Sequence, residues 1–454
     1  MDQPAAGAAS PRERRQSPGK ECLTLRLLLA TDHYPPFIGG GHRQSLLVAR
    51  GMASRGHEVA VVAPWSRGLP MVEVEDRVTV HRVRQIRTLP GLARDRRQHY
   101  PPPFPDPVTI RSLRRVIAKV QPDIIDSHGW IGYSVAAALV GKRIPLVLTA
   151  RDYGYFCATR SLLHKGSLCS GPAPVKCLNC AGGWYGRPKG WLAALGVWLG
   201  RPLLARKMAG LHGVSSFVTD VNGRHLKSAT PRGHDFIELA RPDILAESAS
   251  ESQNNLAPSG ISDGDSDVSS YLERLPEEPF VMFVGAFRKV KGVETLFDAY
   301  RLLPSPPPLV MMGTVESDTP SEFPPRTTVL TDVPNAAVIA AWGRAMFGVM
   351  PSLWPEPRGG TVAEAMLCGK PVIATLSGGS VDMVDESTGI LVPPGDAAAL
   401  AKAMLELIGD PARREACGRA AAERAREWTS RSLLPTYEQA YRDVISAAEG
   451  ESAG

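Results

Sequence analysis

Short apolar runs alternate with longer amphipathic stretches along this 454-residue chain, and the alternation occurs twice. In the first half the runs lie at 25–31, 58–64, 123–128, 145–150 and 213–217. In the second half they lie at 280–286, 308–314, 347–352, 371–376 and 389–393. Near-continuous apolar runs of this length are typical of strands covered on both faces of a parallel sheet. The pattern therefore predicts an α/β protein of two Rossmann-like, doubly wound domains that face a central cleft.

Polar stretches mark the expected boundaries of these domains. Residues 1–22 contain proline and arginine but no apolar core, so we expect a disordered tail. A stretch at 246–270, rich in Ser, Asn, Gly and Asp, is typical of a disordered insert. The predicted units are an N-terminal domain at 23–240, a linker at 241–275, a C-terminal domain at 276–430 and a terminal helix at 431–454.

The composition narrows the class of protein. A net charge of +6 suits phosphate-bearing small molecules or an anionic membrane surface. No aromatic and basic interleaving favours nucleic acid, so no nucleic-acid partner is predicted. The start of the chain lacks the apolar core of a signal peptide, and no run is long enough to span a membrane. We therefore expect a cytoplasmic protein, with peripheral contact to the inner face of the membrane as an alternative.

The segment WPEPRGGTVAEAM, residues 354–366, places two glutamates on either side of a glycine turn. The preceding run at 347–352 predicts a strand, and the following residues predict a helix that ends at Gly369. Backbone amides at the start of such a helix can bind a phosphate, and the flanking carboxylates can accept hydrogen bonds from sugar hydroxyls. This arrangement favours a nucleotide-sugar pocket. The alternative is a structural helix start that carries Glu364 near its positive end.

Several segments together resemble one family. The spacing of Glu356 and Glu364, followed by AMLCGKPVIATLSGG and TGILVPPGD, is similar to that of the retaining GT-B glycosyltransferases of family 4, also called glycosyl transferases group 1. The segments PFIGGGHRQ, PDIIDSHGW and FVGAFRKVKGVETL occur in the order that the family has. The resemblance implies a GT-B fold and transfer of a hexose-type sugar from a nucleoside-diphosphate-sugar donor to an acceptor, with the anomeric configuration retained.

The resemblance also implies a role for each matching residue. Glu356 would contact the hydroxyls of the donor sugar, Glu364 the ribose, and Lys291 the leaving diphosphate. His128 would face the donor sugar near its anomeric carbon. The family usually has arginine where this chain has Ala286, and we expect Arg288 to replace it. The residues that would offer backbone amides to the diphosphate are Gly40, Gly41, Gly359, Gly360 and Thr361. Members of the family commonly need no catalytic metal, so none is expected in the active site.

Four of the seven cysteines lie in one loop. They are Cys157, Cys169, Cys177 and Cys180. The CxxC spacing of the last two suits one tetrahedral ion, so a structural zinc is a candidate, and buried or disulfide-capable thiols are the alternative. The segment at 182–210 then carries three tryptophans with Arg and Lys, which is typical of a helix on an anionic membrane surface or of a packed interdomain helix.

Two other functions remain to be distinguished. A dinucleotide-dependent oxidoreductase would need GxGxxG after its first strand, and FIGGGHRQ does not provide that spacing. A catalytically weak sugar-nucleotide-binding protein of the same fold stays open as an alternative. The sequence does not identify the donor base, the donor sugar or the acceptor, which could be a glycan, a lipid-linked sugar or a small molecule.

Overall fold

A computed structural model gives the fold of the chain. It describes residues 24–36, 43–88, 101–226, 233–235 and 268–450. The predicted tail, most of the predicted insert, and Gly40 and Gly41 lie outside the described residues.

Strands and helices alternate along most of the described chain. The strands are β1 Arg26–Thr31, β2 Glu58–Pro64, β3 Val72–Glu75, β4 Val78–Val83, β5 Ile124–His128, β6 Leu146–Ala150, β7 Leu163–His164, β8 Ser167–Leu168, β9 Met208–Gly213, β10 Gly233–Asp235, β11 Phe280–Val284, β12 Leu309–Gly313, β13 Thr327–Thr331, β14 Ala345–Met350, β15 Val372–Thr375 and β16 Gly389–Val392. The helices are α1 Arg43–Ser54, α2 Pro107–Val120, α3 Ile131–Ala138, α4 Pro174–Tyr185, α5 Arg187–Lys207, α6 Ser216–Leu226, α7 Val268–Leu272, α8 Val293–Arg301, α9 Asn335–Arg344, α10 Gly360–Leu367, α11 Ala397–Gly409, α12 Pro411–Arg426 and α13 Ser430–Gly450.

Apart from β7 and β8, which pair with each other, the strands form two large sheets that follow each other along the chain. The first sheet has the order β10-β9-β6-β5-β1-β2-β4-β3, and only the edge strand β3 is antiparallel to its neighbour. The second has the order β13-β12-β11-β14-β15-β16 and is parallel throughout. Each sheet is covered by apolar side chains on both faces, which explains the continuous apolar runs. The predicted α/β class with two doubly wound sheets is confirmed.

In both sheets the strand order reverses next to the first strand. β1 lies between β5 and β2, and β11 lies between β12 and β14. Parallel sheets bind ligands beyond the carboxyl ends of the strands at such a switch point. The loops after these strands are therefore where the site is expected.

One predicted strand is wrong. The run at 213–217 was expected to be extended, but β9 ends at Gly213 and α6 begins at Ser216. The Ser215 side chain accepts a hydrogen bond from the backbone N–H of Val218, so this serine caps the helix. The sequence pattern also missed β3, β4 and β13, whose polar and charged residues interrupt the apolar runs.

The last helix, α13, packs on the first sheet. Its Tyr441 hydroxyl donates to Asp126 Oδ2 at 2.6 Å, and Glu438 forms an ion pair with Arg55 at 2.8 Å. The aromatic stretch at 182–210 is divided between α4 and α5, because Gly186 adopts a positive φ of 84° and breaks the helix. Among the described residues, no helix is long and apolar enough to cross a membrane.

Candidate functional site

Two of the predicted site residues, 65 positions apart, meet at the carboxyl end of the second sheet. Lys291 Nζ lies 2.7 Å from Glu356 Oε1, and both side chains are largely buried. Ser352 also donates a hydrogen bond to Glu356 Oε1. The Lys291 ammonium lies 5.5 Å from the centre of the Trp354 ring, a cation–π distance. The carboxylate is thus fixed by two donors.

The backbone of Gly292 explains why these residues meet. Gly292 has a φ of 73°, a conformation that glycine adopts without strain. A Cβ at this position would lie 1.8 Å from the carbonyl oxygen of Pro351. This close approach lets the Val290 carbonyl accept hydrogen bonds from the backbone N–H groups of Leu353 and Trp354, at 3.0 and 3.2 Å. The lysine loop and the glutamate turn are therefore held together by their backbones.

A second glycine pair supports Glu356 from the other side. The Gly379 N–H donates to the Glu356 carbonyl at 2.7 Å. Gly378 has a φ of 63°, and a Cβ there would lie 2.2 Å from the same carbonyl oxygen. The SGG turn that the sequence showed after the second glutamate thus fixes the backbone of the first.

Helix α10 begins directly after this turn. No side chain caps its start at Gly359, and nothing lies within 4 Å of the position that a Cβ of Gly360 would take. The first amides of the helix, including that of Thr361, have no side-chain cap, so the positive end of the helix can receive an anion. Glu364 lies one turn inside the helix and accepts a hydrogen bond from Asn335 at 3.4 Å. As predicted, the helix ends just before Gly369, whose φ is 70°.

His128 ends β5 in the first sheet and is buried. Its Nε2 lies 3.1 Å from Asp126 Oδ2, whereas its Nδ1 lies 3.1 Å from Arg151 Nε and 3.2 Å from Ser45 Oγ. Burial lowers the pKa of His128, and the nearby Arg151 charge lowers it further, although Asp126 opposes both effects. Burial therefore favours the neutral imidazole, whose Nδ1 accepts a hydrogen bond from Arg151.

Asp126 anchors this histidine to the rest of the fold. Its carboxylate accepts hydrogen bonds from Thr149 and Tyr441, each at 2.6 Å. Burial alone would raise the pKa of Asp126, but the adjacent His128 and the Thr149 hydrogen bond hold it below the usual range. The carboxylate therefore stays ionised and fixes the orientation of the His128 ring.

The two sheets contribute to one cavity of about 700 Å³. His128 and Arg151 line it from the first half of the chain, and Trp354 and Pro357 line it from the glutamate turn. The Tyr153 hydroxyl joins the two halves by donating to the Pro355 carbonyl at 2.6 Å. The histidine and the turn that carries Glu356 therefore border the same space.

The structure does not bring Arg288 to this pair. β11 ends at Val284, two residues earlier than predicted, and the Arg288 N–H donates to the Ala286 carbonyl in a tight turn. The two side chains therefore do not share one face of an extended strand. Arg288 Nε instead lies 3.1 Å from Asp318 Oδ1, where both side chains are more than one-third exposed.

Comparison with known sequences identifies the family of this chain. Residues 271–424 match the family described as Glycosyl transferases group 1, and residues 39–220 match the Glycosyl transferase 4-like domain. The chain belongs to the glycosyl transferases of group 1. One curated relative is the D-inositol 3-phosphate glycosyltransferase of Pseudarthrobacter chlorophenolicus, 35% identical over 182 residues, which are 36% of this chain and 43% of the relative. Probable sucrose-phosphate synthase 5 of Oryza sativa subsp. japonica is 44% identical over 90 residues, 20% of this chain and 9% of that protein. The chain thus spans less than half the length of these relatives.

Solved structures of the same fold cover nearly the whole of this group 1 chain. Sucrose-phosphate synthase from Thermosynechococcus elongatus superposes with a TM-score of 0.66 at 19% identity, over 93% of this chain and 99% of that one. Anabaena Alr3699/HepE, solved in complex with UDP, superposes with a TM-score of 0.61 at 17% identity, with the same two coverages. These likenesses show the GT-B fold.

The glutamate turn of this group 1 member departs from the family pattern at Arg358. The resemblance places phenylalanine in the glutamate turn where this chain has Arg358. The Arg358 guanidinium lies 4.8 Å from the centre of the Trp428 ring and is buried. A planar guanidinium stacked on an aromatic ring can fill the space of a ring side chain.

The four clustered cysteines are free thiols, and three of them are half-buried beside apolar clusters. Cys157 Sγ lies 3.3 Å from Thr159 Oγ1, and the Ala173 N–H donates to Cys177 Sγ at 3.4 Å. Burial raises the pKa of the Cys177 and Cys180 thiols. Among the described residues, no three ligating side chains are close enough together to hold one metal ion. The structural zinc stays a prediction.

Some residues of the site were not predicted. Ser352 and Trp354 beside Glu356, and Asp126 and Arg151 around His128, depend on contacts between separate strands and loops. The signal for Asp126 was in the sequence, because an acid inside an apolar strand is costly unless it is hydrogen-bonded.

Proposed function

We propose that this chain transfers a hexose-type sugar from a nucleoside-diphosphate-sugar donor to an acceptor and retains the anomeric configuration. The observation that carries the proposal is the contact of Lys291 with Glu356 just before α10, in a turn whose Trp354 and Pro357 line the same cavity as His128. Together these groups provide a cation, a hydroxyl-binding carboxylate and free backbone amides, which are the three features that a sugar diphosphate needs.

The two glutamates take different parts of the donor. Glu356, held by Lys291 and Ser352, lies in the turn that faces the cavity and binds the hydroxyls of the transferred sugar. Glu364 lies one turn inside α10 and binds the ribose hydroxyls. Both assignments use the ability of a carboxylate to accept two hydrogen bonds from a vicinal diol.

The diphosphate binds at the start of α10. In the proposal the amides of Gly359, Gly360 and Thr361 bind it, and Lys291 supplies a full positive charge. Before the donor binds, Lys291 and Glu356 neutralise each other, so neither charge is left uncompensated in the cleft. Negative charge on the leaving diphosphate grows as the glycosidic bond breaks, so Lys291 stabilises mainly the transition state.

The acceptor side is formed by the first sheet. His128 is held rigidly between Asp126 and Arg151, so in the proposal it positions the donor sugar by direct contact near the anomeric carbon. The glycine loop with Gly40 and Gly41 completes the diphosphate site in the proposal, although it lies outside the described residues. The UDP-glucose complex of Anabaena Alr3699/HepE supports a nucleotide sugar as the class of donor.

A donor screen tests the proposal. The purified chain is mixed with UDP-, GDP- and ADP-sugars, binding is read by thermal shift, and release of nucleoside diphosphate is measured with simple acceptors. We expect one base to stabilise the protein and to be released in an acceptor-dependent reaction. Glu415→Ala is the matched control for variants of the two donor-binding glutamates, because Glu415 is a mostly exposed glutamate on α12. Donor binding without any release would instead favour a sugar-nucleotide-binding protein, and no binding at all would contradict both.

A further inference from the structure

Helix α5 places its small residues inward. A Cβ on Gly190 would lie 2.0 Å from the Ala181 carbonyl oxygen, and a Cβ on Gly200 would lie 2.5 Å from the Tyr133 ring. A Cβ on Gly196 would likewise lie 2.8 Å from Phe104. The backbone of the helix therefore approaches the rest of the domain so closely at these three positions that only glycine fits there.

Five large apolar residues of α5 point the other way, although Val197 and Leu204 are buried against the domain. We call these five, together with Trp184 at the end of α4, the outer face of α5. The exposed fractions of the helical residues are 46% for Trp191, 53% for Leu192, 45% for Leu195, 54% for Trp198 and 67% for Leu199. Their spacing of three, four and seven positions puts them on one stripe of the helix. This is the reverse of an ordinary surface helix, which turns its large apolar side chains to the core.

The charge of the surrounding segment is one-sided. Between Tyr153 and Thr219 the sequence contains eight lysines and arginines and no aspartate or glutamate. The net charge of the whole chain is +6, so the rest of the chain is slightly acidic and the positive charge is concentrated here. Arg187 and Arg206, at the two ends of α5, are both exposed. This combination of tryptophan, leucine and cations without acids complements an anionic lipid surface.

The outer face also borders the candidate site. Trp184, Tyr185 and Lys189, from α4 and α5, line the same cavity as His128 and Pro357. A surface bound to the outer face would therefore lie next to the opening of that cavity. No helix of the described residues can span a bilayer, so the contact would be made by a helix lying along the surface.

We propose that the outer face of α5 docks in the headgroup region of an anionic lipid bilayer, and that the cavity beside it receives its acceptor from that surface. The docking follows from the exposed apolar stripe and the concentration of cations. The lipid-linked character of the acceptor rests, in addition, on the proposed transferase function.

Vesicle flotation of the full chain tests the docking. We expect the protein to float with vesicles of phosphatidylcholine mixed with phosphatidylglycerol, to remain behind with phosphatidylcholine alone, and to be released by salt. Each arginine near an anionic surface contributes about 1 kcal/mol, so Arg187→Gln with Arg206→Gln should weaken binding roughly thirtyfold. Trp198→Ser with Leu199→Ser should abolish flotation, and the fold should survive because both side chains are mostly exposed.

The matched control is Leu302→Ser with Leu405→Ser, which removes two exposed leucines from the second half of the chain and should leave flotation unchanged. Anionic vesicles that fail to bind the protein would overturn the proposal. So would a Trp198→Ser, Leu199→Ser variant that floats normally, or a stable dimer in solution that this variant abolishes. Turnover with a water-soluble acceptor should be the same in the wild type and this variant. If the wild type does not bind a donor at all, the proposed function is overturned and the docking result still stands.

Discussion

Replacement of Gly292 by alanine should separate Lys291 from Glu356. Gly292 has a φ of 73°, and for a residue with a side chain that conformation costs about 1–2 kcal/mol. The new Cβ would lie 1.8 Å from the Pro351 carbonyl oxygen, whereas Cβ contacts under 3.0 Å are essentially never seen. The lysine loop must therefore move by roughly 1 Å, and a misplacement of that size can lower turnover about 10²-fold.

The measurements are urea unfolding and turnover with the donor found by the screen. We expect Gly292→Ala to lower the midpoint of unfolding by an amount equivalent to about 1–2 kcal/mol or more, and to lower kcat about 10²-fold. Gly343→Ala is the control, because Gly343 lies in α9 with nothing within 4 Å of the new methyl group. The control should gain about 0.5–1 kcal/mol of stability and keep its activity. Wild-type stability and turnover in Gly292→Ala would refute the argument that this backbone position assembles the site.

Three further predictions concern other parts of the molecule. Arg288→Ala should lower kcat by a factor of about 10²–10³. The ion pair of Arg288 with Asp318 is exposed and therefore weak, so the guanidinium can leave Asp318 and bind the diphosphate. Unchanged turnover would mean that Lys291 and the start of α10 are sufficient. EDTA should leave transfer rates intact, and activity lost to EDTA and restored by a metal would contradict this. Elemental analysis of the reduced protein should find about one zinc bound by the four clustered cysteines, and a zinc-free protein would contradict that expectation. Burial raises the pKa of Asp32 to about 6. Between about pH 4 and pH 6 this carboxyl group therefore binds more protons in the native state than in the unfolded state. Its contribution to the free energy of unfolding falls as the pH rises through that range. Urea midpoints across that range should show that Asp32→Asn removes this fall; an unchanged pH profile would contradict it.

The sequence predicts the sheets well because a parallel strand is buried on both faces, and that burial leaves a continuous apolar run. The run at 58–64 coincides with β2, since nothing polar interrupts it. The run at 213–217 failed because its two serines start a helix: Ser215 accepts a hydrogen bond from the Val218 N–H, and Ser216 is the first residue of α6. Strands such as β3, whose side chains alternate between charged and apolar, lie at the sheet edge and carry no such run.

Parts of the site made by neighbouring residues could likewise be predicted, whereas parts made by distant residues could not. The turn from Glu356 to the start of α10 could be predicted because its residues are adjacent in the chain. The surroundings of His128 could not, because Tyr441 reaches Asp126 from 315 positions away. The outward direction of Trp198 also escaped the sequence pattern. Apolar periodicity gives the spacing of a stripe, but only the close contacts of Gly190 and Gly200 decide which side of α5 faces the domain.

Calorimetric titration of the donor into two variants tests the central claim most directly. If the site binds a nucleotide sugar as proposed, Glu364→Ala should weaken donor affinity, because its carboxylate binds the ribose. Glu356→Ala should keep most of the donor affinity and lose turnover, because its carboxylate acts where the sugar is transferred. Unchanged donor affinity in Glu364→Ala, together with normal turnover in Glu356→Ala, would contradict the account.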